Sequence, residues 1–415
     1  MKIWILNHYN STPAYGSLTR HYNIGKCLME AGHEVVVFSA NRVHNSGKMY
    51  DTHGKRYEEY TEEIVPFVYV NTTPYEKNGV QRYINLVSYY VNVKHAAKAY
   101  EKKHGKPDVI YASSLQPLAL NAGLQLAKKF GVKCICEVRD LFPEFLVKSG
   151  SITYKSIPGR ILFGWEKRVY TKADELIFTM EGGKKYIQDK KWDTVNDGPI
   201  SLDKVHNINN GVDLSLFDKQ REEYVYPDPD LDNPELFCVS FTGSVRKDYG
   251  LDMIIQVAEL LREQPSIKIL IWGGGNCVDE LNQEIGNRGL SNIVLKGYVD
   301  KKYIPSIVSR SSLNLATLID SYLYKYGVSQ NKLFDYLAAG RPVLFSIKPG
   351  FSFIEANGAG VELEAAQAQD IVDAIKMFAD MTGSEYKTYC VNARATAEKY
   401  DFHILTKRLL EEVIK

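Results

Sequence analysis

The chain opens on an apolar run, Ile3-Trp4-Ile5-Leu6, and a second run, Val35-Val36-Val37-Phe38, follows it after a stretch with helical periodicity. Short runs that are apolar throughout read as strands buried on both faces, and a period of about 3.6 between them reads as a covering helix. The pattern predicts strands over 2–7 and 34–39 around a helix over 18–30 that stops before Gly32. It recurs as strands over 109–112, 132–138, 176–180 and 205–208, with a helix over 117–130 and another ending near 190. An aromatic-rich helix covers 83–100. The series then restarts, with strands over 237–242, 267–272, 293–295, 313–318 and 343–346 and helices over 251–263 and 278–288.

Strands and helices that alternate in this way form parallel sheets covered on both faces. The expected fold is therefore α/β, with two Rossmann-like doubly wound domains facing a cleft. The first is expected over 1–200 and the second over 201–385, with helices over 386–415 returning to the first. The hinge is expected near 199–212, at Pro199 and Asn209-Asn210-Gly211, ahead of an acidic, proline-bearing run over 226–234. Ligands of open α/β sheets sit beyond the carboxyl ends of the strands, so the loops there are where chemistry is sought.

Composition narrows the classes. A hydrophobic share of 45% and a charged share of 24% are those of a water-soluble globular chain. A net charge of +1 argues against a dedicated nucleic-acid binder. No apolar run is long enough to span a bilayer, and the first one is too short for a signal segment. Six cysteines lack zinc spacing and read as buried thiols of a reducing cytoplasm.

The most informative stretch is 326–344, YGVSQNKLFDYLAAGRPVL. Gly327 can take positive φ and let a backbone approach a ligand, with Ser329 in the same loop. Asn331 is a candidate cap for a helix over 332–339, whose N-terminus suits phosphate. Lys332 adds a point charge there, and Asp335, one turn on, can accept from sugar hydroxyls. Other strand ends carry similar chemistry. The segment 241–250, FTGSVRKDYG, offers Gly243, Arg246 and Lys247, and 271–275, IWGGG, offers Gly273 and Gly274. Tyr298 follows the strand at 293–295 and can flank a base. The loop 7–19 holds Gly16, with Arg20 and His21 just beyond it. Residues 137–144, EVRDLFPE, set Glu137, Arg139 and Asp140 at the end of a buried strand, where charges are costly unless paired or facing a cleft.

These motifs resemble the GT-B glycosyltransferases of family 4. The family pattern is a glutamate, seven residues, a second glutamate and an Ala-x-Gly-x-Pro-Val tail. The tail here is Ala338-Ala339-Gly340-Arg341-Pro342-Val343. Asp335 stands at the second glutamate, and the first falls at Gly327 and is missing. That departure and EVRDLxPE are similar to a subgroup that builds bacterial surface polysaccharides, including O-antigen and capsule fucosamine-type transferases. The resemblance implies a retaining, metal-independent transferase with no cofactor beyond its donor, a UDP-sugar. Gly16 would lie near the donor phosphates and the reacting sugar. Gly243, Gly273, Gly274, Tyr298, Gly327, Ser329, Lys332 and Asp335 would bind the donor. The arginine and lysine usual after Gly243 are replaced by Ser244 and Tyr249, which leaves Arg246 and Lys247 to supply charge. Lys332, Arg246 and Gly16 would carry catalysis, and Arg139 and Asp140 the acceptor side.

The acceptor implied is a polyprenyl-diphosphate-linked glycan, reached by a cytoplasmic protein peripheral to the inner membrane face. Residues 154–172 mix five basic residues with apolar ones, the pattern of a helix lying on an anionic membrane surface or of one with an ordinary core face. Two other activities fit the same residues, an epimerase of UDP-amino sugars and a non-catalytic sugar-nucleotide-binding partner.

Overall fold

The computed structural model describes residues 1–13, 18–43, 49–61, 64–75, 79–114, 117–319, 321–364 and 366–415. The chain divides into two compact units, Met1–Asn209 with Phe402–Lys415, and Asn210–Asp401.

The first unit contains β1 (Lys2–Asn7), β2 (Glu34–Ala40), β3 (Tyr57–Tyr60), β4 (Phe67–Val70), β5 (Val109–Ser114), β6 (Lys133–Val138), β7 (Glu175–Phe178) and β8 (Val205–Asn207). Among the described residues these form one eight-stranded sheet of order β3-β4-β2-β1-β5-β6-β7-β8, parallel except for the β3–β4 pair. Helices α1 (Arg20–Glu30), α2 (Val80–His104), α3 (Pro117–Phe130), α4 (Phe142–Lys148), α5 (Ile157–Lys172) and α6 (Gly183–Asp189) cover it. The apolar run in β1 explains its central place: Ile3, Trp4, Ile5 and Leu6 are wholly buried, and Trp4 packs against Phe38, Tyr100 and Phe130. The sequence pattern does not predict β3. Its residues Tyr57, Glu58, Glu59 and Tyr60 are all half-buried, so the strand has no apolar face to announce it.

The second unit contains β9 (Phe237–Thr242), β10 (Ile267–Trp272), β11 (Ile293–Gly297), β12 (Leu313–Ala316), β13 (Val343–Phe345) and β14 (Gly360–Glu362). Among the described residues they form a parallel sheet of order β11-β10-β9-β12-β13-β14. Its helices are α7 (Leu214–Glu223), α8 (Leu251–Leu260), α9 (Val278–Asn287), α10 (Ile304–Arg310), α11 (Asn331–Ala338), α12 (Ala368–Ala379) and α13 (Gly383–Lys399). One core joins Val239, Ile254, Ile269 and Leu315 to Ile371 and Ile375 of α12. Another joins Phe334, Leu337 and Phe345 to Ala393 and Ala397 of α13.

The expected returning tail over 386–415 is therefore shorter than the sequence suggests. α13 stays in the second unit, held by its buried alanines and by Arg394, which donates to Asp218 and to the Ala338 carbonyl. Only α14 (Phe402–Arg408) and the turn Leu409–Ile414 belong to the first unit. All six cysteines are free thiols, and no described helix is long and apolar enough to cross a membrane.

Candidate functional site

In the second unit the carboxyl ends of β9, β10 and β11 are joined backbone to backbone. Gly243 N donates to the Trp272 carbonyl at 2.9 Å, Gly273 N to the Gly297 carbonyl at 2.8 Å and Val245 N to the Gly274 carbonyl at 3.0 Å. Side chains have no room here. Gly243 sits at φ +141° and Gly273 at φ +153°, and a Cβ on Gly273 would overlap the Gly243 carbonyl oxygen. A Cβ on Gly243 would come 2.8 Å from the ammonium of Lys332. Gly274 faces open space. Gly243 and Gly273 are thus required by a tight strand-end floor, whereas Gly274 is not.

Lys332 lies beneath that floor, at the second position of α11. Its Nζ is shut off from solvent and has no hydrogen-bond partner among the described residues. It rests 3.8 Å from the centroid of the Phe241 ring and 4.3 Å from that of Tyr249. Burial pushes its pKa down to about 7, and among the described residues no carboxylate offsets that cost. The two rings offset part of it by cation–π attraction. Tyr249, which stands where the family's lysine is expected, is thereby part of the lysine's setting.

Asn331 does not cap the helix, as its spacing suggests. It is the first helical residue, and Gln330 precedes it without a side-chain capping bond. Asparagine one position late cannot fold back onto the N2 and N3 amides, so neither Gln330 nor Asn331 serves as a side-chain N-cap. Gly327 takes φ +96° at the entry to the loop before α11. Ser329 is engaged with the first residue of the unit: its hydroxyl accepts from Asn210 N at 3.3 Å and its carbonyl from Asn210 Nδ2 at 2.7 Å. Asp335 is half-buried one turn along, where burial raises its carboxyl above the usual range against the pull of Lys301. Arg246 and Lys247 are exposed in the turn after Val245, and Tyr298 is exposed just beyond β11. Sequence reasoning missed Phe241 as a lysine platform, and Tyr336, whose hydroxyl accepts from Thr242 N at 2.8 Å and fixes the end of β9.

In the first unit Gly16 lies outside the described residues. Arg20 and His21, by contrast, are fixed in a closed network around Glu137. The Glu137 carboxylate accepts from Arg20 Nε at 3.0 Å and Nη2 at 2.7 Å, Ser113 Oγ at 2.7 Å and Tyr111 Oη at 2.5 Å. His21 Nε2 lies 3.0 Å from the other side of that carboxylate, and Asn7 Nδ2 lies 2.7 Å from His21 Nδ1. Arg20 also donates to the carbonyls of Ile208 and Asn209. Burial alone would raise the Glu137 carboxyl, but Arg20 and His21 hold it well below the usual range. Arg139, two residues on, makes no such contacts: its Nε is buried without a partner. Asp140 beside it is exposed.

Among the described residues, one group could gather around a metal ion: Cys27, Glu30 and His403, whose ligand atoms lie within 4.8 Å of one another in the first unit. His403 Nε2 already sits 3.0 Å from a Glu30 carboxylate oxygen there.

Both units match models of known protein families. The model of the glycosyl transferase 4-like domain matches residues 16–196, and that of glycosyl transferases group 1 matches residues 237–380. A Bacillus subtilis protein named as a teichuronic acid biosynthesis glycosyltransferase, TuaH, is 25% identical over 61% of this chain and 59% of its own length. The chain thus matches under two thirds of that relative. Among solved structures, Anabaena HepE in complex with UDP aligns over 99% of each chain with a TM-score of 0.67 at 16% identity. WaaG, a glycosyltransferase involved in lipopolysaccharide biosynthesis, aligns over 100% of this chain and 99% of its own with a TM-score of 0.66 at 13% identity. The chain belongs to the GT-B glycosyltransferases of family 4.

Proposed function

We propose that the protein transfers a glycosyl residue from a UDP-sugar to a lipid-linked glycan acceptor in surface-polysaccharide biosynthesis, with retention and without a metal ion. The observation that carries this reading is Lys332: a buried ammonium with no acceptor among the described residues, under a glycine floor and in the first turn of a helix whose N-cap residue makes no side-chain bond. An uncompensated buried charge is costly, and a diphosphate supplies the missing counter-charge. Charge on the leaving diphosphate grows in the transition state, so a cation held there in advance speeds departure. Arg246 and Lys247 add exposed positive charge along the same loop, and Asp335 is set to accept from ribose hydroxyls. The UDP bound to HepE and the teichuronic acid biosynthesis named for TuaH support this choice of donor and pathway class.

The exposed faces of the first unit support a membrane-side acceptor. On α2, Val80, Tyr83, Ile84, Val87 and Val91 form an exposed apolar stripe at helical spacing. On α5, Ile157 and Ile161 are exposed beside Arg160 and Arg168, while Val169 and Tyr170 serve the core. Each basic residue near an anionic leaflet contributes about 1 kcal/mol. The protein is expected to pellet with anionic liposomes at low salt and to be released at high salt. Wild type that stays in the supernatant at low salt removes the membrane from the reading.

The deciding experiment incubates the protein in EDTA with a panel of nucleotide sugars, with and without polyprenyl-diphosphate-linked glycan. Release of nucleoside diphosphate that depends on the acceptor is expected. Isomerised donor without acceptor would make the protein an epimerase, and tight UDP binding without turnover a non-catalytic partner. Activity lost in EDTA and restored by magnesium or manganese would overturn metal independence.

A further inference from the structure

We propose that Cys27, Glu30 and His403 form a site for one zinc ion, which fastens the returning helix α14 to α1. None of the three belongs to the residues assigned to donor or acceptor. The ion braces the fold and takes no part in the transfer, so activity in EDTA is still expected.

Cys27 and Glu30 lie three positions apart in α1 and so share one helix face. α14 packs against α1 and brings in His403, 373 positions along the chain from Glu30. One ligand atom from each of the three lies within 4.8 Å of the other two, and His403 Nε2 is 3.0 Å from a Glu30 oxygen. All three belong to the first unit. Cys27 is a buried thiol outside any disulfide, whereas the Glu30 and His403 side chains are about half exposed. The protein thus covers the sulfur and leaves the other two ligands open to an ion from solvent.

The ligand set is selective. Thiolate, imidazole and carboxylate together suit zinc, while a thiolate is a poor partner for magnesium or calcium. Bonds of about 2.0–2.3 Å in a tetrahedron put ligand atoms about 3.3–3.6 Å apart. The exposed side chains of Glu30 and His403 therefore close on the sulfur by about an ångström, and water takes the fourth position. Binding sends the thiol proton, and the proton between Glu30 and His403, to solvent. Glu30 is the last residue of α1, and no basic residue lies in that last turn, so the negative end of the helix dipole adds to the attraction. An exposed glutamate–histidine pair alone holds two segments weakly. A metal clip that closes so long a loop also restrains the unfolded chain.

The test titrates the tag-free chain, stripped of metal by a chelator and dialysed, with cobalt(II), zinc and magnesium. Wild type should bind one cobalt with the intense near-ultraviolet charge-transfer band of a thiolate ligand. One equivalent of zinc should displace it, and magnesium should not bind. Zinc should raise the Tm by at least about 4 °C and slow proteolytic removal of residues 402–415. Glu30→Gln and His403→Gln, at exposed positions, should weaken zinc binding at least about tenfold and leave the metal-free Tm within about 2 °C of wild type. Cys27→Ser should abolish the band. If that variant does not fold, cobalt affinity in the two exposed variants decides. No band in wild type, a band that survives in Cys27→Ser, zinc affinity unchanged in His403→Gln, or zinc that binds without raising the Tm would overturn the proposal.

Discussion

Arg20 and Lys332 each lie in the first turn of a helix, in different units, and in each the charged group is shut off from water. Their surroundings are opposite. Arg20 donates to the Glu137 carboxylate through two nitrogens and to two main-chain carbonyls. Lys332 has two aromatic rings and, among the described residues, no acceptor. A buried charge whose counter-charge lies in the chain belongs to the fold, whereas one whose counter-charge is missing is built for a ligand. The two sites should therefore respond to the loss of their cation in opposite ways.

The largest expected effect tests the closed side. Arg20→Met leaves Glu137 buried without its main partner and should destabilise the protein by about 3–5 kcal/mol, read by urea denaturation. UDP affinity of the folded fraction should not change. A variant as stable as wild type would show that Arg20 is not structural, and the contrast with Lys332 would collapse.

The open side comes next. Lys332→Met removes a charge that has no partner, so the ligand-free Tm should hold or rise. UDP affinity should fall by about 1.5–3 kcal/mol, the range of a charge-assisted hydrogen bond. If Tm falls and UDP affinity stays, Lys332 is a core residue held by Phe241 and Tyr249, and the donor site must be sought elsewhere. The same loss split between kcat and KM shows where the charge acts. A lower kcat at constant KM means that it acts mainly in the transition state.

The pH dependence is smaller and separates the two cations again. Burial holds the Lys332 pKa at about 7 in the free protein, far below its unfolded value of 10.5. The unfolded chain therefore binds the proton more tightly, so stability rises with pH between about 7 and 10.5, and the penalty is fully present below that window. Bound diphosphate favours the charged form, so UDP binding takes up a proton above pH 7. The Kd should rise toward about tenfold per pH unit there, roughly 1.4 kcal/mol per unit. The terminal phosphate, with a pKa near about 6, is already ionised in this range and adds no trend of its own. Lys332→Met should show a flat profile over the same interval. A flat profile in wild type would mean that the ammonium is hydrated and charged throughout.

How far these features were legible in the sequence follows from their range. β1, β9, β10 and α3 were read to the residue, because a run of buried positions declares itself locally. β3 carries no apolar alternation and was missed. The strand-end glycines stood out because a tight turn admits little else. The states of Arg20, Arg139 and Lys332 could not be read, because their surroundings come from distant segments. Glu137 lies 117 positions from Arg20, and the rings around Lys332 come from β9 and the turn after it. Sequence marks a cation and its strand end, but whether its acceptor is already present is a property of the packed unit.

Ser329 gives the smallest and finest test, because it lies in the loop that leads to Lys332 yet is engaged as Arg20 is. Its hydroxyl accepts from Asn210 N and its carbonyl from Asn210 Nδ2. A residue already occupied by the chain should behave as structure even at the rim of a ligand site. Ser329→Ala removes the longer of the two bonds, at 3.3 Å, and keeps the carbonyl one. The expected cost is about 0.5–1.5 kcal/mol of stability, with UDP affinity unchanged. If affinity falls by more than stability does, the hydroxyl also reaches the donor. The line between closed and open groups would then run through the loop itself, rather than between the two units.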